Sequence, residues 1–415
     1  MDEARFRTGA IGAPGTLPFS GVSTFQAPPS APESPVVEEK EVISSTGPTG
    51  NESKPAKSES PAPYPWILNP TIDMLFSCGG AFWIIYLGLS LTGMQANFTS
   101  TPAAGWFFFV SIVGLHLFGD SHQPATLMRV YGSKITRDAL GVPVAIVGVI
   151  SLFAGLSTLL IPATTVFFIK LILAWGFQHQ LAQSYGIALV YCYKRKFYLS
   201  KVEKNIMFAM VQATIVFLCV RMLSIKDFGM LTINAYDVQF WAILPEWTFT
   251  VSLIALQVSV LAFAGMVVNK YVREKKLFPL PAMATILTLT LMPLIAGDKF
   301  SIIWYMFSQW FFHSSQYLVI TSAFYFKEKG LPENVPLNEI GRMLWTRESA
   351  KYFGLIFGVG FCTAYLLPNF MFDQGVATKG VCFASIWVLI NFQHFVTDAF
   401  IWKLRDPQIQ KLLVS

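Results

Sequence analysis

Long apolar runs separated by short charged clusters restrict the fold of this chain more than any other feature. Ten runs are long enough to cross a bilayer as a helix, which takes about 20 residues. They lie near residues 74–95, 104–122, 139–160, 163–192, 205–224, 248–268, 279–297, 299–326, 353–370 and 378–402. Only 13% of the residues are charged, against about 25% in a soluble globular chain. The pattern excludes a wholly soluble enzyme and predicts an all-α, multi-pass transmembrane helical bundle of about ten helices.

Basic clusters follow the even-numbered segments, whereas the ends of the odd-numbered segments are poor in Lys and Arg. Examples are Lys194, Arg195 and Lys196 after segment four, and Lys275 and Lys276 after segment six. Because cytoplasmic loops are enriched in Lys and Arg, this alternation predicts that both termini are cytoplasmic. Loop charges of this kind also account for the net charge of +6, so we expect the lipid bilayer, and no nucleic acid, as a partner.

The first part of the chain has a different composition. Residues 1–64 are rich in Pro, Ser, Gly, Glu and Lys. Such a segment cannot bury enough apolar surface to offset the entropy of the chain. We therefore predict a disordered N-terminal tail over residues 1–64, which could dock a protein partner, and a transmembrane helical domain over residues 65–415.

The chain has only five histidines, and all of them lie in apolar segments two, four, eight and ten. They are His116, His122, His179, His313 and His394. At about 1.5 Å per residue, the first, third and fourth of these lie within about 3 Å of one another in depth, and the other two lie about 6–12 Å nearer the cytoplasmic side. Ionisable groups inside a bilayer are costly, so they pair or serve a function. Because imidazole binds iron, copper and zinc, we expect a shared metal centre rather than separate interhelical hydrogen bonds.

Two aspartates each lie four residues after a histidine and therefore on the same helix face. Asp120 follows His116, and Asp398 follows His394. A carboxylate in this position can fix the tautomer of the imidazole or bind the metal itself, so we take both aspartates as candidate catalytic residues. The alternative is that they lie at the wet cytoplasmic edge. Tyr317, on segment eight, is the third candidate catalytic residue.

Three short motifs resemble those of the Brp/Blh family of membrane β-carotene 15,15'-dioxygenases. Residues 116–120 are similar to the His-x-x-x-Asp piece of that family, residues 312–314 to its His-Ser segment, and residues 394–400 to its last His–Asp–Phe piece. The order along the chain agrees. The family has a second histidine four residues after the His-Ser histidine, and this chain has Tyr317 there.

The resemblance implies an intramembrane iron site. By likeness its ligands would be His116, His179, His313 and His394. His122 would replace the missing histidine or lie behind the ligands. The family activity implies dioxygen chemistry on a carotenoid-like substrate.

The sequence supports three functional hypotheses. The first is an integral membrane non-haem iron (Fe²⁺) oxygenase that acts on a lipid-soluble isoprenoid or carotenoid-like substrate in a long cleft lined by aromatic side chains. The second is a transporter or proton-coupled carrier with a His/Asp relay. The third is a subunit of a larger complex that binds haem or a pigment without a covalent bond, since no CxxCH motif is present.

Overall fold

The fold is described from a computed structural model of the chain. The structure describes residues 66–91, 109–224, 230–233, 236–239, 242–296, 307–331 and 335–402. The predicted N-terminal tail over residues 1–64 lies outside these ranges, and so does residue 415 at the other end of the chain. The proposed cytoplasmic side of the two termini therefore stays a prediction.

The described residues are mainly helical, which confirms the all-α class. The helices are α1 Pro70–Ser77, α2 Gly80–Leu91, α3 Asp120–Tyr131, α4 Lys134–Leu160, α5 Pro162–Lys194, α6 Lys201–Ser224, α7 Glu246–Glu274, α8 Leu280–Ala296, α9 Ser315–Glu328, α10 Gly341–Leu344, α11 Arg347–Asp373 and α12 Lys379–Ile401. One short antiparallel hairpin follows α6, formed by β1 Met230–Ile233 and β2 Tyr236–Gln239.

Five helices of the described residues are long and apolar enough to cross a membrane, namely α4, α6, α7, α11 and α12. A sixth crossing results if α1 and α2, which are bent by 56° at their junction, form one broken span. The chain is therefore a membrane protein by length and composition of its helices, and ten crossings stay a prediction. Helix α5 is 33 residues long, but the polar residues between Gln178 and Gln183 lower its hydropathy. Helix α5, which carries His179, is therefore not among the five candidate membrane-spanning helices.

Several helices contain stretches with π-helical hydrogen bonding. Two of these stretches carry histidines: Gly114–Gly119, which leads into α3, and Gln309–Ser314, which leads into α9. A π-helical turn inserts an extra residue and rotates the side chains that follow it, and such turns are frequent at functional sites. These two stretches contain His116 and His313. The directions in which these two side chains point therefore do not follow from ideal α-helix geometry.

Helices α3, α5, α9 and α12 surround the centre of the described structure. Helix α12 packs against α3, α4 and α5, and α3 also packs against α9 and α11. Helices α4 and α5 are joined by Ile161 alone, which makes them a tight antiparallel hairpin. This arrangement brings the histidine-bearing faces of four helices toward one another.

The close approach of α11 to α3 depends on Gly360. A Cβ atom at this position would lie 2.5 Å from the carbonyl oxygen of Asp120, so Gly360→Ala has to push the two helices apart. We expect this variant to lose about 1–3 kcal/mol of stability, measured by thermal unfolding in detergent. Gly358→Ala is the matched control on the same helix, because its Cβ would meet nothing within 4 Å. Equal melting temperatures for the two variants would contradict the proposed contact.

Candidate metal centre and adjoining cavity

Four of the five histidines meet at one buried place. His122 comes from α3, His179 from α5, His313 from the π-helical stretch before α9, and His394 from α12. Each of them is at most 9% exposed. Their ring centroids are 4.7 Å apart for His122 and His394, 4.8 Å for His179 and His394, and 4.9 Å for His179 and His313.

These separations are those of imidazoles around a common ion. With a metal–nitrogen bond of about 2.1 Å, two imidazoles on one ion have ring centroids about 4.6–6.5 Å apart, depending on the angle between the bonds. Two further pairs, His122–His313 at 5.5 Å and His313–His394 at 6.3 Å, also fall in this range. The ring positions therefore fit a shared centre.

Several polar atoms at this centre have no hydrogen-bond partner among the described residues. They are Nε2 of His122, both ring nitrogens of His313, and Oδ2 of Asp398. The other nitrogen of His122, Nδ1, bonds to the carbonyl oxygen of Gly119, so Nε2 carries the free lone pair. A buried polar atom without a partner costs about 1–3 kcal/mol and calls for an explanation. A bound cation would supply a partner for Nε2 of His122, for one of the two nitrogens of His313 and for Oδ2 of Asp398, because each residue offers one ligand atom.

The ligand atoms form two overlapping groups. One consists of His122, His313 and His394, and the other of His179, His394 and Asp398; within each group the ligand atoms lie within 4.8 Å of one another. In the second group the Nε2 atoms of the two histidines are 3.0 Å apart. Oδ2 of Asp398 lies 3.6 Å from Nε2 of His179 and 3.8 Å from Nε2 of His394. These buried histidines and the aspartate could hold a metal ion.

A chain of hydrogen bonds supports the second group from behind. The hydroxyl of Tyr317 donates to Oδ1 of Asp398 at 2.7 Å. Oγ1 of Thr126 lies 2.7 Å from the Tyr317 hydroxyl and 2.7 Å from Nδ1 of His394. Because the carboxylate of Asp398 accepts from Tyr317, the Tyr317 hydroxyl accepts from Thr126. The Thr126 hydroxyl then accepts from Nδ1 of His394, which is the donor. The network then makes Nε2 of His394 the acceptor nitrogen of the ring, and this atom lies 3.0 Å from Nε2 of His179.

His116 and Asp120 lie outside this group. Nδ1 of His116 is 2.7 Å from Oδ2 of Asp120, so the predicted i,i+4 pairing is present. The His116 ring packs edge-on against Phe361 and Tyr365, at 5.9 and 6.2 Å. His116 was expected at the depth of the main ligands, and His122 nearer the cytoplasmic side, but among the described residues it is His122 that faces the other histidines. The two rings have different neighbours: the His116 ring packs against Phe361 and Tyr365, and the His122 ring lies 5.5 Å from that of His313.

A cavity of about 220 Å³ adjoins the centre, and the His122 and Phe395 side chains line it. His116 and Asp120 are also part of its wall. Much of the lining is apolar or aromatic, with Ile172, Leu173, Trp310, Tyr365, Phe383 and Trp387 as examples. That this cavity binds a substrate stays a prediction. The volume is below the roughly 300–1,000 Å³ of sites that enclose a drug-sized ligand, so this cavity is too small to enclose a whole carotenoid.

No family model, no curated protein and no solved structure matches this chain. The resemblance to the Brp/Blh family therefore stays a prediction. The fold and the site define the class of the molecule by themselves: an all-α membrane protein with a buried group of histidines and one aspartate that could hold a metal ion.

Proposed function

We propose that this protein is an integral membrane non-haem iron oxygenase that acts on a lipid-soluble isoprenoid or carotenoid-like substrate. The observation that carries the proposal is the meeting of four buried imidazoles and one carboxylate beside an aromatic cavity. Two histidines and one carboxylate form the donor set of many non-haem Fe(II) oxygenases. Neither group of candidate ligands contains a cysteine, whereas structural zinc sites are commonly rich in thiolates.

His394 belongs to both ligand groups, so one ion would be held by His394 together with the other members of the two groups, His122, His313, His179 and Asp398. Iron, when bound, would supply the redox chemistry that lets dioxygen react with a carbon–carbon double bond. Splitting one double bond with one molecule of dioxygen gives two carbonyl groups, one oxygen atom in each, and needs no further reductant.

The residues around the ligands keep the site ordered and dry. Thr126 and Tyr317 fix the orientation of His394 and Asp398 through the hydrogen bonds described above. The ring of Phe395 lies against His179, with centroids 4.5 Å apart and planes tilted by 30°. Exclusion of water strengthens the electrostatic interactions within a site and protects reactive species from side reactions.

The same geometry favours a bare ion over haem. Two axial imidazoles on one haem iron place their nitrogens about 4 Å apart, on opposite sides of the macrocycle. His179 and His394 approach at 3.0 Å, which leaves no space for a macrocycle between them. A proton-coupled carrier would use the same side chains as a relay, but imidazoles that meet at one place suit a single centre better than a path across the membrane.

Isotope labelling tests the proposal. Detergent-purified protein is loaded with Fe(II) under anaerobic conditions, mixed with β-carotene or zeaxanthin in micelles, and exposed to ¹⁸O₂. We expect cleavage products that carry ¹⁸O, detected by liquid chromatography with mass spectrometry, and no product from the zinc-loaded protein. Intact carotenoids and no uptake of dioxygen would contradict an oxygenase of this class. Proton-coupled uptake into liposomes by metal-free protein would favour the carrier instead.

A further inference from the structure

The His116–Asp120 pair has no place among the candidate metal ligands, yet both residues line the cavity that reaches His122. The side chain of His116 is 34% exposed, whereas that of Asp120 is only 10% exposed. The pair therefore presents its imidazole toward accessible space and keeps its carboxylate covered.

The contact with Asp120 determines what His116 can offer to a ligand. A carboxylate accepts hydrogen bonds, so Nδ1 of His116 acts as the donor across the 2.7 Å contact. In the neutral imidazole, Nε2 then carries the lone pair and acts as an acceptor. No described residue forms a hydrogen bond with this Nε2. The cavity wall thus contains an oriented hydrogen-bond acceptor in a largely apolar surface.

The position of the pair is fixed by its surroundings. Phe361 and Tyr365 on α11 hold the His116 ring edge-on. The backbone of Asp120 is in close contact with Gly360 of the same helix. A second polar pair in the lining, Gln123 and Asn391, is joined by a hydrogen bond of 3.1 Å. That bond uses Nε2 of Gln123 as the donor and Oδ1 of Asn391 as the acceptor, so Oε1 of Gln123 is a second acceptor in the lining beside the imidazole.

The size of the cavity indicates which part of a ligand it holds. At about 220 Å³, it is smaller than typical sites for drug-sized molecules, so it accommodates one end of a long isoprenoid. Both His116 and His122 are part of the cavity wall. A group bound at His116 therefore lies in the same cavity that reaches the candidate metal centre.

We propose that the cavity binds the hydroxylated end of an isoprenoid, and that His116, held by Asp120, accepts a hydrogen bond from the hydroxyl group. As a statement about the substrate of the metal centre, this inference rests on the proposed oxygenase function. As a statement about binding, it requires no metal. A terminal hydroxyl gives the ligand a fixed orientation, which an unsubstituted hydrocarbon end lacks.

Binding of two carotenoids to the metal-free protein tests this inference. Zeaxanthin and β-carotene have the same polyene and differ in one hydroxyl group on each ring. We expect the EDTA-treated protein in detergent to bind zeaxanthin about tenfold more tightly than β-carotene, the ratio that one well-placed hydrogen bond supplies. Binding is measured by the circular dichroism induced in the polyene absorption band.

The variants separate recognition from packing. His116→Phe keeps an aromatic ring between Phe361 and Tyr365 but removes the acceptor, so the two carotenoids should bind equally. His116→Gln keeps an acceptor oxygen and should retain part of the preference, and Asp120→Asn should weaken it. Melting temperatures close to that of the wild type verify that the variants are folded.

Equal affinities in the wild type, or an unchanged preference in His116→Phe, would overturn the inference. A preference for zeaxanthin in a protein that oxidises neither carotenoid would support the binding site and reject only the oxygenase function. Cleavage of both carotenoids without any preference in binding would support the oxygenase function and reject the binding site at His116.

Discussion

Replacement of any one of four histidines by alanine is expected to remove the metal ion, whereas replacement of the fifth is not. We expect about one ion per chain in the wild-type protein and less than a tenth of that in four variants. A change in an outer partner of a ligand already costs about 10–100-fold in metal affinity, and loss of a ligand costs more. The four residues are His122, His179, His313 and His394. Metal content is measured by mass spectrometry on protein purified in detergent from iron-supplemented cells.

His116→Ala is the matched control, because His116 is a histidine of the same polypeptide segment as His122 and lies outside the group of four. It should keep the full metal content. The control also distinguishes two ligand sets. The structure places His122 with the other three histidines, whereas the resemblance to the Brp/Blh family implies that His116 binds iron. Loss of the ion in His116→Ala together with its retention in His122→Ala would show that the arrangement described here is wrong. A wild-type protein that holds no metal after iron loading would remove the centre altogether.

The four helices that meet at the centre could be predicted from the sequence because the cost of burying ionisable groups leaves a clear pattern. A chain with only five histidines, all within apolar segments, needs an interior place for them. The basic clusters give the direction of each segment, and one histidine from each of segments two, four, eight and ten lies in the group of four. Whether these residues bind an ion is a separate question, which the metal analysis answers.

The choice between His116 and His122 could not be predicted by counting residues. Counting gives depth along a helix, but it does not give the direction around the helix axis. The π-helical stretch Gly114–Gly119 changes that direction further, and no sequence signal marks such a stretch. Depth favoured His116, whereas the direction of the side chain places His122 at the centre.

The hydrogen bonds that orient His394 and Asp398 could be predicted only in part from the sequence. Thr126 connects Tyr317 and His394, but a threonine in a helix commonly bonds to a carbonyl oxygen of its own helix and therefore carries no signal. Tyr317 occupies the position at which the Brp/Blh family, which the sequence resembles, has a histidine. In the structure its hydroxyl bonds to Asp398, a partner 81 residues away that no local motif reveals.

The second large effect is expected from Asp398→Asn, which should lower the affinity for Fe(II) at least about 100-fold and abolish oxygenation. Oδ2 of Asp398 has no hydrogen-bond partner among the described residues and faces the Nε2 atoms of His179 and His394. Asparagine has nearly the same size but lacks the negative charge that balances a divalent cation, and in a buried site that charge is worth more than in water. The affinity is measured by competition with a chromophoric Fe(II) chelator.

Asp120→Asn provides the control, because the two aspartates are matched in sequence and in burial. Each follows a histidine by four residues, and they are 8% and 6% exposed for Asp120 and Asp398, respectively. The Asp120 variant should leave the affinity for Fe(II) within about twofold of the wild type, since Asp120 contacts His116 and not the group of four. Tyr317→Phe should fall between the two, with a loss of about 10–100-fold, because it removes the hydroxyl that orients Asp398. A larger loss in Asp120→Asn than in Asp398→Asn would locate the ion at the His116 pair instead, since only the aspartate that lies against the ion can produce the greater effect.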